Sequence, residues 1–314
     1  MPTFCRHNRF IQNCPICREP EPPRGPARRA AGGATAARSR GAGSGVKVRR
    51  VARAADDGYR SPLVPGLRSS DDARRLAAEI AFSAARLGAL GADPPGLYAE
   101  AASEADREEA LWLVTLVSLL GPLAGDDPFA GIRALRVPWA AGGTPSLEGV
   151  ALGPRAGVAD AEAAQRALDA YRAWAQRSGG QAAALLGAAG WSAERRFDRA
   201  FERIGALPGF ARPARYDLLL AHGRLGLAEV RASGLHFDGD DASLAARRVF
   251  GIADRFLLER RARDLAGACE APIEALDLAL ANFGRDGARI TQGATGIEED
   301  EAVRTLALDA LGVD

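Results

Sequence analysis

From residue 69 to residue 314 the apolar side chains recur every three or four positions, and nowhere do they alternate with the period of two that a half-buried strand needs. A chain patterned in this way buries itself by packing helix on helix, so an all-α body is expected. The stretch 70–87 carries Leu76, Ile80 and Leu87 on one stripe behind Ser70, Asp71 and Asp72, which suit a helix start. The stretch 106–120, DREEALWLVTLVSLL, opens with acids at the positive end of its dipole and then turns apolar on every face. It is expected to be the central buried helix. Further helices are expected over 96–103, 160–176, 181–186, 193–204, 254–265, 272–283 and 298–311, with a Gly/Pro loop over 141–157 and a short extended segment at 287–291. The hydrophobic share of 47% beside 26% charged residues fits a globular protein.

The most informative stretch is 201–252. A helix pattern halts at Leu207, Pro208 and Gly209, because proline cannot continue a helix and glycine accepts a positive φ. Phe210 follows as a plug, and helix resumes over 212–225. An elbow of this kind leaves backbone N–H groups unpaired at the start of its second helix, where an anion such as phosphate is favoured. Arg212 and Arg215 at the elbow, with Arg247 and Arg248 further on, are candidate phosphate contacts, although the same arginines also read as a solvated charged face. Between them runs Asp238-Gly239-Asp240-Asp241, a loop that also reads as a helix start with Asp241 capping 242–250. His222 and His236 are expected to be structural, and Cys269 an inert core thiol.

The first residues are of another kind. Cys5, His7, Cys14 and Cys17 supply three thiolates and one imidazole, a set that completes a tetrahedral Zn2+ site with no open position. The zinc would therefore be structural. A zinc knuckle is expected over 1–20, a disordered basic linker rich in Pro, Gly and Arg over 21–66, and the helical domain over 67–314. Residues 1–60 hold 13 basic and 4 acidic side chains, against 28 and 36 in the remainder, so a near-neutral total divides into a basic arm and an acidic body. Such an arm suits DNA as a partner. Lys47 is the sole lysine, which excludes Schiff-base chemistry by a lysine of the body. No apolar run reaches membrane-spanning length and no secretion signal follows Met1, so a cytoplasmic protein with no membrane contact is expected.

Leu207-Pro208-Gly209-Phe210, followed by a helix and then by an Asp ahead of Arg248-Val249, resembles the helix-hairpin-helix DNA glycosylases. The pattern F-C-R-H-N-R-F-I-x-x-C-P-I-C, together with GDDPF, LPGFARPARYDLL and RRVFGI, is similar more specifically to the alpha-glutamyl/putrescinyl thymine pyrophosphorylase family, clade three, regarded as a derivative of those glycosylases. Ala211 and Ala214 stand where the hairpin pattern usually has Gly and Thr, and the gap from Asp241 to Val249 is about two residues longer than usual. The resemblance implies a glycosylase-like fold and action on a flipped, hypermodified thymine in DNA, by transfer at an activated 5-methylene group or by excision of the base. It implies Asp241 as the catalytic carboxylate, with Asp240 second and Asp238 as a further rival. Trp112 and Thr115, with Ser118 on the same helix, and Tyr216 and Asp217 are the residues expected around the base. Two other readings use the same residues: a DNA-binding module without chemistry, and a protein-interaction adaptor built on the zinc knuckle.

Overall fold

The computed structural model describes residues 54–314. Its elements are α1 (Ser70–Ala92), α2 (Leu97–Ser103), α3 (Arg107–Leu120), α4 (Ala130–Ala134), a 3-10 turn (Trp139–Ala141), α5 (Ala161–Arg177), α6 (Gln181–Leu186), α7 (Ala193–Gly205), α8 (Arg212–Arg224), α9 (Asp241–Phe250), α10 (Arg255–Ala268), α11 (Ala275–Phe283) and α12 (Glu301–Leu311). No strand occurs among the described residues, and 287–291 is irregular rather than extended. The expected zinc ligands Cys5, His7, Cys14 and Cys17 lie outside the described residues. Among the described residues no cluster of metal-ligating side chains occurs, and no helix is long and apolar enough to cross a membrane.

The helices start where side-chain oxygens can take their free N–H groups. Ser69, Asp106, Asp160, Ser192, Asp254 and Asp300 each cap one. Helix α3 is the central one, as its all-round apolar pattern predicts, with every residue from Ala110 to Leu120 buried. The two carboxylates in its first turn serve other elements. Glu108 accepts from the Gln181 and Ala182 N–H groups at the start of α6, and Glu109 accepts from Trp139 and Ala140 in the 3-10 turn. Helix α3 packs on α2 and α8, and α8 packs on α7. On the other side α1 packs on α11 and α12, and α11 on α9, with α1 and α8 meeting between the two groups.

The body begins earlier than the expected boundary at residue 67. Val64 is fully buried, the Gly66 N–H donates to the Val249 carbonyl at 2.9 Å, and the Tyr59 hydroxyl donates to the Leu311 carbonyl at 2.7 Å. Residues 59–66 thus dock on the helices through Tyr59, Ser61, Val64 and Gly66, part of the stretch expected as disordered linker, while 55–58 are exposed. Apolar content missed this because the segment holds its place with Val64, one tight glycine and backbone hydrogen bonds. A Cβ at Gly66 would lie 1.9 Å from the Arg248 carbonyl oxygen.

Candidate functional site

Helices α7 and α8 meet at the elbow read from the sequence. Gly209 has φ +81°, and a Cβ there would lie 2.8 Å from the Ala167 Cβ on α5, so the turn needs glycine for its backbone and for its packing. Phe210 turns inward and is buried with its ring 5.6 Å from Tyr171. Pro208 and Gly209 remain exposed and Leu207 is half-buried. Ala211 precedes α8 with no side chain able to cap it, so the Arg212 and Ala214 N–H groups have no side-chain acceptor among the described residues, while Pro213 between them carries no N–H.

These residues form one wall of an open groove. Its far side is Asp238-Gly239-Asp240, the loop leading into α9, and its floor includes Arg212 and Arg215. Arg215 stacks over the Phe201 ring at 4.2 Å and its Nη2 stands 3.7 Å from Asp238 Oδ2. Gly205 makes this possible, since a Cβ there would fall 2.0 Å from Arg215 Nη1. Burial lowers the Arg215 pKa somewhat from its ordinary value.

The carboxylates of the loop divide differently from the sequence expectation. Asp240, not Asp241, caps α9, with Oδ1 accepting from the Ser243 N–H at 3.1 Å and from the Ser243 hydroxyl, and Oδ2 accepting from Arg212 at 2.8 Å. Asp241 is the first residue of α9 and points away from the groove, with a side chain 63% exposed and 3.7 Å from Arg285. The elbow therefore gathers Asp240 and Asp238, and leaves Asp241 outside.

Arg212 also departs from its expected role as a phosphate contact. It is buried, donating to the carbonyls of Leu235 and His236 as well as to Asp240, and its Nη2 meets Asp277 Oδ1 at 2.5 Å. Asp277 accepts in turn from Arg155 at 2.5 Å, and Arg155 forks onto Asp217 at 2.7 and 3.2 Å. Asp217 also accepts from Gln292 Nε2 at 2.6 Å. A chain of ion pairs thus runs from the groove into the interior, through Asp240, Arg212, Asp277, Arg155 and Asp217, and ties α8 to α11 between the two helix groups. Burial alone would raise the Asp277 carboxyl, but Arg212 and Arg155 hold it below its ordinary value. Arg155 is raised by Asp217 and Asp277 against the opposing effect of burial.

Of the residues expected around a base, Asp217 is one of these buried ion-pair partners. Trp112 is buried and donates to the Val137 carbonyl, Thr115 is buried and bonds the Leu111 carbonyl in its own helix, and Tyr216 is buried with its hydroxyl on the Gly234 carbonyl. Trp112, Thr115 and Tyr216 are core residues with their polar atoms satisfied, rather than the rim of the elbow groove. Ser118 is buried beside them in α3. Arg248 is engaged by Asp72 at 2.7 Å and lies over Phe283, whereas Arg247 is exposed.

His222 is fully buried with no hydrogen-bond partner on either ring nitrogen among the described residues, and burial pushes its pKa down to about 3. His236 stacks on Phe201 at 4.5 Å with Nε2 3.0 Å from Asp198, and burial lowers it too. Cys269 is buried and pushed up to about 11, which keeps it a thiol. Comparison with known protein families, with curated proteins and with solved structures gave no match.

Proposed function

We propose that the helical body binds DNA along the elbow groove and acts there on a nucleotide swung out of the duplex, with removal of a modified pyrimidine as the reaction. The observation that carries this reading is the groove itself: an uncapped α8 N-terminus on one side and Asp238 and Asp240 on the other. A phosphate at the helix start sets the adjoining sugar toward the carboxylates. Extruding the base costs on the order of a few kcal/mol, which contacts to the flanking phosphates offset. Breaking the bond from sugar to base leaves positive charge on the sugar and the electron pair on the departing base; a fixed carboxylate stabilises the sugar while water adds to the anomeric carbon and its proton passes to the base. Asp240 fits that role better than Asp241, because Arg212 and Ser243 fix its position at the groove. Transfer to a 5-methylene group, the other chemistry implied by the family resemblance, calls for the carboxylate to face the base instead of the sugar.

A second reading, DNA binding without chemistry, is favoured by one observation. Both oxygens of Asp240 already accept hydrogen bonds, from Arg212 and Ser243. One experiment separates the two: duplex DNA containing 5-hydroxymethyluracil-type bases is incubated with the protein, released bases are profiled by mass spectrometry, and binding is measured across a salt series. Base release that Asp240→Asn abolishes while binding persists supports excision. Salt-dependent binding with no change in the DNA supports the binding module, and absence of salt-dependent binding overturns both.

A further inference from the structure

A cavity of about 430 Å3 opens between the last turns of α8, the segment 230–232 and the residues leading into α11. Small-ligand sites span roughly 300–1,000 Å3. Much of its wall is apolar, from Phe197 on α7, Leu219 and Leu220 on α8, Val230 and Pro272. Backbone contacts fix this frame. The Leu227 and Ala228 N–H groups both donate to the His222 carbonyl, at 2.9 and 3.1 Å. A Cβ at Gly223 would lie 2.3 Å from the Val230 carbonyl oxygen, so the chain turns back tightly after α8 and holds Val230 against it.

One side chain in this cavity is out of keeping with those walls. Glu274 is 8% exposed, yet its carboxylate accepts no hydrogen bond among the described residues, and it does not cap α11 although it stands at the N-cap position. Arg224 Nη2 stands 3.6 Å from its Oε1, too far for a hydrogen bond. The other arginine of the wall, Arg231, is committed to Glu194 through Nε at 2.9 Å and through Nη2. A carboxylate withdrawn from water is costly unless donors replace that water. Glu274 lines the cavity, so the donors it lacks are those a ligand brings.

We propose that this cavity binds an organic cation with a planar guanidinium or amidinium head on an apolar stem, the head on Glu274 and the stem among Phe197, Leu219, Leu220 and Val230. A planar fork supplies two parallel charge-assisted N–H donors, one for each carboxylate oxygen. A delocalised cation is also more weakly hydrated than an ammonium, so it sheds its water more readily on entering an apolar cavity. An anion is disfavoured, because Glu274 repels it and Arg231 is already neutralised by Glu194. The Arg224 side chain is 32% exposed and makes only the loose contact with Glu274, so it moves out to water when the ligand's head arrives. Arg224 is then a competitor for Glu274, not its partner. The head belongs either to a free small molecule or to an arginine side chain of a peptide, and the chemistry recognised is the same. No residue lines both this cavity and the elbow groove, so the proposal stands whether or not DNA is acted on there.

The test is binding of benzamidine to the full chain, followed by calorimetry and by thermal unfolding. Benzamidine is expected to bind and raise Tm, its neutral counterpart benzamide to bind at least about tenfold more weakly, and benzoate to give no shift. Butylguanidine is expected to bind more tightly than butylamine. Glu274→Gln is expected to weaken benzamidine binding at least about tenfold without lowering the Tm of the free protein, because the carboxylate it replaces accepts no hydrogen bond. Arg224→Met is expected to tighten binding several-fold, because it removes the competing cation. A short blocked peptide with one arginine that competes with benzamidine marks the source as a peptide, and one that does not marks a free small molecule. Absence of benzamidine binding, equal binding of benzamide, binding of benzoate instead, butylamine as tight as butylguanidine, unaltered binding in Glu274→Gln, or no tightening in Arg224→Met overturns the proposal.

Discussion

The elbow groove and the interior end of the ion-pair chain use the same residue types under opposite rules. In the groove Asp238 and Arg215 lie 3.7 Å apart with water at hand, so an imperfect pair costs little. In the interior each charge is out of water, and Asp217, Asp277, Arg155 and Arg212 are joined at 2.5 to 3.2 Å with few spare oxygens. A loose contact is therefore ordinary at the groove and informative in the interior.

The contrast can be broken most severely at Asp277, which touches both buried arginines at the middle of the chain. Asp277→Asn keeps the shape and removes the charge, so Arg155 and Arg212 lose their shared counter-ion. Stability is expected to fall by about 3–5 kcal/mol in urea unfolding. If the loss is below about 1 kcal/mol, the chain is not the fastening between α8 and α11 described here.

The interior rule extends to His222. Its folded pKa of about 3 lies below the usual 6.5, so between those values the unfolded chain binds the proton and the folded one does not. Its contribution is complete above pH 6.5 and is lost as the pH falls, by about 2 kcal/mol between pH 7 and pH 5. Urea unfolding at the two pH values measures this, and His222→Leu is expected to flatten that part of the dependence.

Two smaller effects sharpen the groove side. Gly209→Ala forces a side chain onto a positive φ and against Ala167, at about 1–2 kcal/mol. It is expected to weaken DNA binding measured across the salt series. Asp241→Asn, at an exposed position outside the groove, is expected to change stability by less than about 0.5 kcal/mol and to leave base release intact. Loss of activity in Asp241→Asn with Asp240→Asn unaffected would reverse the assignment of the two carboxylates.

Much of this was legible in the residues alone. The apolar period of α1 and α3, the Asp and Ser caps, and the Leu207-Pro208-Gly209 stop before α8 are local signals, set by backbone chemistry within a few positions. Asp277 and Arg86 also left a trace, as single charges in the apolar stretches ALDLALANF and AFSAARLGAL. Arg155 left none, since an arginine in a Gly/Pro loop usually meets water. Other choices turned on where elements met. One residue of phase at the start of α9 put Asp240 at the groove and Asp241 on the surface. Arg212 is polar by composition but faces inward because Leu235 and Asp240, on the loop before α9, and Asp277, on α11, converge there.

The helical class, the elbow and the need for buried charges to find partners were thus determined by the order of residues, because propensity and periodicity act over short spans of chain. Which charges became partners was decided only by tertiary packing. Ion pairing depends on distances between residues as far apart in sequence as Arg155 and Asp277, and no local pattern encodes those.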